Sequence, residues 1–290
     1  MTTPSGPRPT VTVVGAAGKM GLRVGANLEK SPYTVRWCES SEHGREVLAG
    51  LGREVTDTEA AVKDADVVIL AVPDVVLGTV SETVVPLMPE GSILLTLDPA
   101  AAYAGLLAER DGVTQAVAHP CHPSVFLERT STEEWADTFG GSAARQDVVA
   151  AIETQDAATR ERAEEVIRTM YGPVGDVHWV TVKQLAYLEP TLVETVACMV
   201  GALLKEALHE TVTTVGVPEA AATAMLHGHV QIALTNTLRG SNPFSEGCLV
   251  AMDYGRETIV KDDWKRIFDD GELDRVVARM LRIDAVRRRG

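Results

Sequence analysis

The sequence has few aromatic residues, few cysteines and a shortage of basic charge. Of its 290 residues only 4% are aromatic, and 27 Lys and Arg stand against 41 Asp and Glu, for a formal net charge of -14. A chain this acidic repels the phosphate backbone of nucleic acids and anionic lipid headgroups. We therefore expect no nucleic-acid partner and no membrane role.

Long hydrophobic runs and paired cysteines are missing too. No apolar run reaches the roughly 18 residues of a membrane-spanning helix, and residues 1–10 lack the apolar centre of a signal peptide. Scattered thiols without a CxxC pair fit neither a disulfide framework nor a thiolate zinc site. They are Cys38, Cys121, Cys198 and Cys248. These absences favour a cytoplasmic protein with reduced thiols.

From Val11 to about Ala151, short runs of β-branched residues alternate with Ala/Leu-rich stretches. This alternation is typical of a parallel sheet covered by helices. The predicted strands are Val11–Gly15, Tyr33–Glu39, Asp66–Val72, Ser92–Asp98 and Thr114–His119. The predicted helices after them are Ala157–Met170, Thr181–Val215, Pro218–Leu238 and Asp262–Ile283. Pro190 should break or kink the long second helix.

These patterns predict an α/β fold, with an N-terminal doubly wound parallel sheet of the Rossmann type and an all-α C-terminal domain. A length of 290 residues is enough for two ordinary domains. We expect a flexible tail at residues 1–9, an NAD-binding domain at 10–151 and a helical substrate and dimerisation domain at 152–290.

The first predicted strand runs into a glycine-rich segment, GAAGKMG at residues 15–21, and then into a predicted helix. Glycines permit a tight turn and close approach to a pyrophosphate, and the helix start offers free N–H groups. Dinucleotide binding also predicts an acid at the end of the second strand, where Glu39 stands. A carboxylate there repels a 2′-phosphate, which favours NAD over NADP. Arg36 and Arg45 lie close enough in sequence to weaken that preference.

Two later strands end in acidic residues. Open α/β sheets bind ligands at the carboxyl ends of their strands. We therefore expect the residues at these ends to border the cofactor. They are Val72, Pro73 and Asp74 after the third strand and Asp98 after the fourth. Asp74 is also a candidate helix N-cap.

The fifth predicted strand ends in HPCHP, residues 119–123. Two prolines stiffen a loop that carries the imidazoles of His119 and His122. Such a loop suits either a metal ligand or a proton-transfer group that faces the nicotinamide. The spacing alone does not choose between these roles.

The first part of the long predicted helix contains three charged residues that are candidates for a functional role, Lys183, Glu189 and Glu194. Glu189 precedes a proline and has apolar neighbours, so its carboxylate needs a partner. A metal shared with His122 is one candidate, because divalent ions accept mixed nitrogen and oxygen ligands. Lys183 and Glu194 are eleven residues apart, so an unbroken helix places them on one side. Catalysis and a surface ion pair both remain open for them.

Several segments in this order resemble the D-apionate oxidoisomerases. They are GAAGKMG, DVVILAVPD, HPCHPSVF, the LEP of LAYLEP, LHGHV and DDWKRIF, within a span from about Thr10 to Ile283. That family belongs to the β-hydroxyacid and phosphogluconate dehydrogenase superfamily and has a phosphogluconate-dehydrogenase-like C-terminal domain. The resemblance implies NAD-dependent oxidation of a branched sugar acid coupled to a metal-assisted 1,2-rearrangement. One departure stands out: the superfamily usually places Asn four residues after the helix lysine, where this chain has Tyr187.

The resemblance also implies site residues and an assembly. For the cofactor it implies Gly15, Gly18, Lys19, Met20 and Gly21, which join Ala17, Glu39, Val72 and Asp74, expected from their positions after the strands. The predicted ligands of a divalent metal, zinc first with magnesium, manganese or calcium as alternatives, are His122 and Glu189. The general base is expected to be His119 or Glu194, with Lys183 as a third catalytic candidate. Superfamily members typically dimerise through the long helix, so a homodimer is expected.

Two alternatives stay open. GAAGKMG also resembles the first loop of dihydrodipicolinate reductases, which allows a simple NAD(P)-dependent hydroxyacid dehydrogenase or reductase without rearrangement. A non-catalytic NAD-sensing protein is the other alternative, and the polar residues His119, His122 and Glu189 argue against it.

Overall fold

Residues 9–240 and 242–287 are described by the computed structural model. They contain a seven-stranded sheet in the order β2-β1-β3-β4-β5-β6-β7. The strands are β1 Thr10–Val14, β2 Thr34–Cys38, β3 Val67–Leu70, β4 Ile93–Thr96, β5 Thr114–Pro120, β6 Gln146–Ile152 and β7 Val174–Trp179. The expected tail at residues 1–9 lies, apart from Pro9, outside the described residues.

The helices alternate with the strands in the first part of the chain and come after the last strand in the second part. The earlier ones are α1 Lys19–Leu28, α2 Glu42–Gly50, α3 Thr58–Val62, α4 Asp74–Val84, α5 Ala100–Tyr103, α6 Thr132–Ala136 and α7 Ala157–Met170. The later ones are α8 Val182–Ala186, α9 Met199–Thr213, α10 Glu219–Leu234, α11 Glu246–Ile259 and α12 Asp270–Leu281. In the described part of the chain, none of these helices has the length and apolarity needed to cross a bilayer.

The five predicted strands are all present, and the predicted α/β class is confirmed. β3 and β4 are buried along their whole length, as expected of central parallel strands with helices on both faces. Alternate residues of the strands, such as Val13, Ile69 and Leu95, build one core face together with side chains of α1, α2 and α7.

The strand order fixes where a ligand can bind. All neighbouring strands are parallel except β5 and β6, which are antiparallel. From β1 the chain moves outward to β2 and then returns to β3 on the other side of β1. The loops after β1 and β3 therefore diverge at the sheet edge, which is the crevice where open α/β sheets bind ligands.

The sheet extends further along the chain than predicted. The expected domain boundary at residues 151–152 falls inside β6, and β7 lies in the half expected to be all helical. β7 alternates half-buried and exposed residues in a short sheet-edge segment, VGDVHW, so it offers little hydrophobic signal. The described residues form two compact units, one up to Glu189 and again from Asp274, the other Pro190–Leu273.

The predicted helix Thr181–Val215 is not one regular helix. A π-helical segment, Tyr187–Cys198, separates α8 from α9 and contains Pro190. Proline lacks the N–H that an α-helix needs, and its ring clashes with the carbonyl four residues earlier. The wider turn accommodates it, and the hydroxyl of Thr195 donates to the Pro190 carbonyl at 2.7 Å. The predicted break is therefore a change of helix type.

The other helix predictions hold in outline. α7 has the predicted bounds, and α10 continues as a π-helical turn, Thr235–Arg239. α12 follows a 3-10 helix at Trp264–Phe268, within the predicted helical stretch. α11 was not predicted. Its sequence contains two glycines, which lower helix propensity.

Candidate active site

The glycine-rich turn after β1 has the conformation that its sequence predicts. Gly15 has φ +80°, and a Cβ there would lie 2.6 Å from the carbonyl oxygen of Ala71. A Cβ on Gly21 would lie 2.8 Å from the backbone of Ala16 and would also overlap the Gly15 carbonyl. The turn therefore requires glycine at both positions. α1 starts immediately afterwards with no side-chain cap, which leaves N–H groups of its first turn for an anion.

A cleft of about 930 Å³ opens beside this turn, at the ends of β1 and β3. We call it the β1/β3 cleft. Five of the predicted cofactor residues line it: Gly15, Ala17, Gly18, Glu39 and Val72. The others stand next to it in sequence, since Lys19, Met20 and Gly21 begin α1 and Asp74 begins α4. Ser41, His43 and Thr58 also line the cleft and were not predicted. Of these, only Ser41 carries a sequence signal that could have identified it, because serine is a favoured N-cap residue.

Glu39 joins the glycine turn to α2. Its Oε2 accepts a hydrogen bond from the Ala17 amide at 3.3 Å, and its Oε1 accepts from the amide and hydroxyl of Ser41, both at 2.9 Å. Burial acts to raise the pKa of Glu39, but these hydrogen bonds outweigh it and lower the pKa below its ordinary value. The side chain is thus an ionised acceptor on the cleft wall.

The two arginines near Glu39 are engaged within the protein. The guanidinium of Arg36 pairs with both carboxylate oxygens of Asp64. Arg45 donates from Nε to the backbone carbonyl of Glu39 at 3.0 Å. The charge of Arg36 is therefore neutralised by Asp64, while the guanidinium of Arg45 lies at the end of β2.

A second group of polar side chains is formed by Asp98, His119 and Glu189. One potential ligand atom from each lies within 4.8 Å of the others. Asp98 follows β4, His119 lies near the end of β5, and Glu189 belongs to the π-helical segment. Glu189 is only 5% exposed, and the other two side chains are half-buried. We call this group the Asp98–His119–Glu189 cluster.

The environment of His119 leaves one ring nitrogen available. Its Nδ1 lies 3.1 Å from the carbonyl oxygen of Leu97. A carbonyl can only accept, so Nδ1 carries the hydrogen and Nε2 keeps its lone pair. Burial lowers the pKa of His119 to about 4, with the Leu97 hydrogen bond opposing that shift and nearby His122 adding to it. The neutral imidazole with a fixed tautomer is the form that ligates metal ions.

The cluster fits a divalent cation on the chemistry of its donors. An imidazole nitrogen and two carboxylates form a mixed set that zinc and manganese accept, while calcium prefers oxygen alone. The local field is negative as well. Burial, followed by the charge of Asp98, raises the pKa of Asp74 to about 7. A cation between these carboxylates would relieve that repulsion.

His122 is held apart from this cluster. It has φ +60°, and its Nδ1 lies 2.7 Å from the Phe139 carbonyl oxygen, so Nδ1 donates to it. Its ring centroid is 4.4 Å from that of Phe139 and 6.4 Å from that of His119. The structure therefore groups Glu189 with His119 and Asp98, and metal ligation by His122 stays a prediction.

Positive charge also lies over the Phe139 ring. The ammonium of Lys19 is 4.9 Å, and the guanidinium of Arg23 is 4.0 Å, from the centre of the Phe139 ring. Arg23 also donates to the Gly140 carbonyl and to Asp137. Lys19, which is exposed, is the more available cation beside the His122 loop.

The spacing argument for Lys183 and Glu194 does not hold. It required an unbroken helix, but α8 ends at Ala186 and the π-helical segment follows. Both side chains are exposed, Lys183 in one compact unit and Glu194 in the other. Their catalytic roles stay predictions.

Known proteins share this architecture. Residues 127–281 match the family model of the C-terminal domain of decarboxylating phosphogluconate dehydrogenase. The D-apionate oxidoisomerase of Pectobacterium atrosepticum is 60% identical over 96% of this chain and 98% of its own. That of Blautia hydrogenotrophica is 40% identical over 94% and 97%.

A solved structure agrees with these relatives. A semialdehyde dehydrogenase NAD-binding protein from Cupriavidus necator, in complex with calcium and NAD, has a TM-score of 0.90 at 39% identity and covers 94% of this chain and 100% of its own. The predicted family, fold class and enzyme class, an NAD-dependent oxidoreductase, are confirmed. The chain belongs to the D-apionate oxidoisomerase family.

Proposed function

We propose that this protein oxidises a branched sugar acid of the D-apionate type, with NAD as the hydride acceptor, and couples the oxidation to a rearrangement of the carbon skeleton. The relatives carry that activity in their name. The observation that carries the proposal is the Asp98–His119–Glu189 cluster, placed at the same edge of the sheet as the glycine-rich turn.

The cofactor would bind in the β1/β3 cleft. Backbone N–H groups of the glycine turn and of the start of α1 would take the pyrophosphate. Glu39 would accept hydrogen bonds from the adenosine ribose hydroxyls. Val72 follows β3 and lines the cleft, and Asp74 begins α4 two residues later. Lys19, Met20 and Gly21 would complete the cofactor site at the start of α1. NAD supplies the redox chemistry, and the protein supplies orientation.

Asp98, His119 and Glu189 would hold a divalent metal, zinc first, with manganese, magnesium or calcium as alternatives. Bound there, the metal would polarise a carbonyl oxygen and acidify a neighbouring hydroxyl. Because Nδ1 of His119 donates to the Leu97 carbonyl, Nε2 is the ring nitrogen left to bind the metal. Oxidation of a secondary alcohol beside a tertiary alcohol yields an α-ketol, the type of compound that undergoes a 1,2-shift.

The geometry favours an exchange of the two histidine roles predicted from sequence. His122 has its Nδ1 fixed by Phe139 and its ring next to His119. We therefore propose its Nε2 as the base that takes the proton of the alcohol that is oxidised. Glu194 and Lys183 remain candidates for other proton transfers. Lys19 would attract the carboxylate of the substrate, which an otherwise acidic chain repels.

A homodimer is part of the proposal. Every residue of α9 and α11 is described, and none of them is buried. Apolar residues on these helices that are more than 40% exposed include Met199, Leu249, Val250, Met252 and Tyr254. A second copy of the chain would cover this surface. The cytoplasmic location stays a prediction from sequence.

The activity is tested by incubating the purified protein with NAD and a panel of branched and linear aldonates. We expect NADH formation with D-apionate, and a product whose carbon connectivity, read by NMR, differs from that of the substrate. NADH formation with an unchanged skeleton would select the simple dehydrogenase instead. No turnover with any sugar acid would contradict the proposed substrate class.

The metal site is tested by calorimetric titration of chelator-treated variants. Because each ligand supplies a direct bond, His119→Ala and Glu189→Gln should each weaken zinc binding by about 100-fold or more. His122→Ala and the control His178→Ala should leave zinc affinity within about twofold, the tolerance of such a comparison. Loss of zinc binding in His122→Ala with retention in His119→Ala would instead establish the pair predicted from sequence.

A further inference from the structure

Glycine is required at one more position near the β1/β3 cleft, and this glycine lies outside the phosphate-binding turn. Gly44 is buried in the first turn of α2. A Cβ at this position would lie 2.6 Å from both Cγ and Cδ of Glu39 and 2.7 Å from the hydroxyl oxygen of Ser41. The space that a side chain would fill is therefore taken by the Glu39 side chain itself.

Ser41 completes the support of Glu39. Its hydroxyl donates to Oε1 of Glu39 at 2.9 Å and at the same time accepts from the Gly44 amide at 3.1 Å, as the N-cap of α2. The Ser41 amide donates to the same carboxylate oxygen at 2.9 Å. The carboxylate thus rests against the start of α2, and Glu39, Ser41 and Gly44 all line the cleft.

We propose that Gly44 and Ser41 are positioning residues for cofactor selectivity, because they hold the Glu39 carboxylate where it accepts the ribose hydroxyls of NAD and repels the 2′-phosphate of NADP. The inference rests on the proposed role of Glu39. It assigns the selectivity to a three-residue unit rather than to one acid.

The surrounding charges make the position of this carboxylate decisive. Arg36 is paired with Asp64, and Arg45 is attached through Nε to the Glu39 carbonyl. When the carboxylate is in place, its negative charge repels a 2′-phosphate that would otherwise be attracted by Arg45. When it is displaced, NADPH loses that repulsion and gains access to the arginine.

Gly44→Ala is the direct test, with Gly50→Ala as its matched control. Both glycines lie in α2, but a Cβ on Gly50 has no atom within 4 Å. The contacts at Gly44 are with the side chains of Glu39 and Ser41 and not with backbone. Both side chains can rotate away, so the fold is retained, which circular dichroism verifies. We expect the ratio of NADH to NADPH affinity, measured by fluorescence titration, to fall by about tenfold, the effect of one displaced charged hydrogen bond. Gly50→Ala should leave the ratio unchanged.

A double-mutant comparison separates the possible failures. In a Glu39→Ala background the clash with Glu39 is gone, and the Ser41 hydroxyl that the new methyl group still meets has no carboxylate to hold. Adding Gly44→Ala there should therefore have no further effect on the ratio. An equal loss in both backgrounds, or an unchanged ratio in Gly44→Ala, overturns the inference while Glu39 keeps its proposed role. An unchanged ratio in Glu39→Ala alone overturns the proposed role of Glu39 itself. Ser41→Gly, a tolerated N-cap that removes the hydroxyl, should lower the ratio by about threefold, and no change there would count against the inference.

Discussion

Asp137 shows how a single buried acid organises the neighbourhood of His122. Its carboxylate accepts hydrogen bonds from the amides of Gly140, Ser142, Ala143 and Ala144 at 2.8 to 3.1 Å. Burial acts to raise the pKa of Asp137, but these amides lower it to about 2. The turn that they form contains Phe139, whose carbonyl fixes His122.

Asp137→Asn should therefore destabilise the protein in a pH-dependent way. An unfolded aspartate titrates near pH 4 and the folded one near 2, so the ionised form contributes about 2 kcal/mol. Since the folded pKa is lowered, this contribution is complete above about pH 5 and is lost as the pH falls towards 2. Urea unfolding at pH 7 should show the full loss, and the gap to the wild type should shrink by pH 3.

The exposed Asp111 provides the control for this measurement, because Asp111→Asn should cost little at either pH. Equal stability of wild type and Asp137→Asn at pH 7 would contradict the interpretation.

At the scale of elements, the sequence predicted the first five strands because each combines β-branched residues with a glycine, proline or acid at its end. β6 and β7 were not predicted. β6 begins with two polar residues and mixes alanines with its valines, and β7, at the edge of the sheet, has only half-buried or exposed residues. The π-helical segment could be anticipated only as a break at Pro190. A sequence pattern does not specify which wider turn absorbs a proline.

Most of the site was predicted as single residues. Gly15, Glu39, Asp98, His119 and Glu189 were each expected at the sheet edge or at the helix break. The one metal pair that was predicted joins His122 to Glu189, whereas the structure groups Glu189 with Asp98 and His119. His122 has a left-handed backbone, and its ring lies beside that of Phe139. No periodicity signals such a conformation in a residue that has a Cβ.

Gly21 links the glycine turn to α1, and Gly21→Ala should damage both. The new methyl group would overlap the carbonyl of Gly15 and the backbone of Ala16, neither of which can rotate away. We expect an unfolding free energy lower by about 1–3 kcal/mol, typical of overpacking, and NADH binding weakened by about tenfold or more. Thermal unfolding and fluorescence titration measure the two effects. Full NADH affinity in a folded Gly21→Ala variant would contradict a tight turn at this position.

At the scale of the whole molecule, the unit Pro190–Leu273 has almost no interior of its own. In α10, all of whose residues are described, only Ala222 is buried, and α9 and α11 contribute no buried residue. Helices with this much exposed apolar surface gain stability from packing against another chain. The assembly and the folding of this unit should therefore be coupled.

Light scattering should accordingly return a mass near twice the 31.1 kDa of the chain. Val250, which is 66% exposed on α11, allows a direct test, because a charge buried in an interface is strongly unfavourable. Val250→Glu should weaken dimerisation by about tenfold or more. Val125→Glu, at a 59% exposed valine of the other unit, should leave the mass unchanged. A monomeric wild type would remove the proposed dimer.

The fixed tautomer of His119 also has a practical consequence for anyone who purifies the protein. A neutral imidazole nitrogen beside two carboxylates is a donor set that many first-row divalent ions accept, and their affinities at such sites rise from manganese to copper. The ion bound in a given preparation would then depend on the divalent ions present during expression and purification, including nickel released from an affinity resin. Assays of this enzyme should begin from protein that has been stripped and reloaded with one ion at a time.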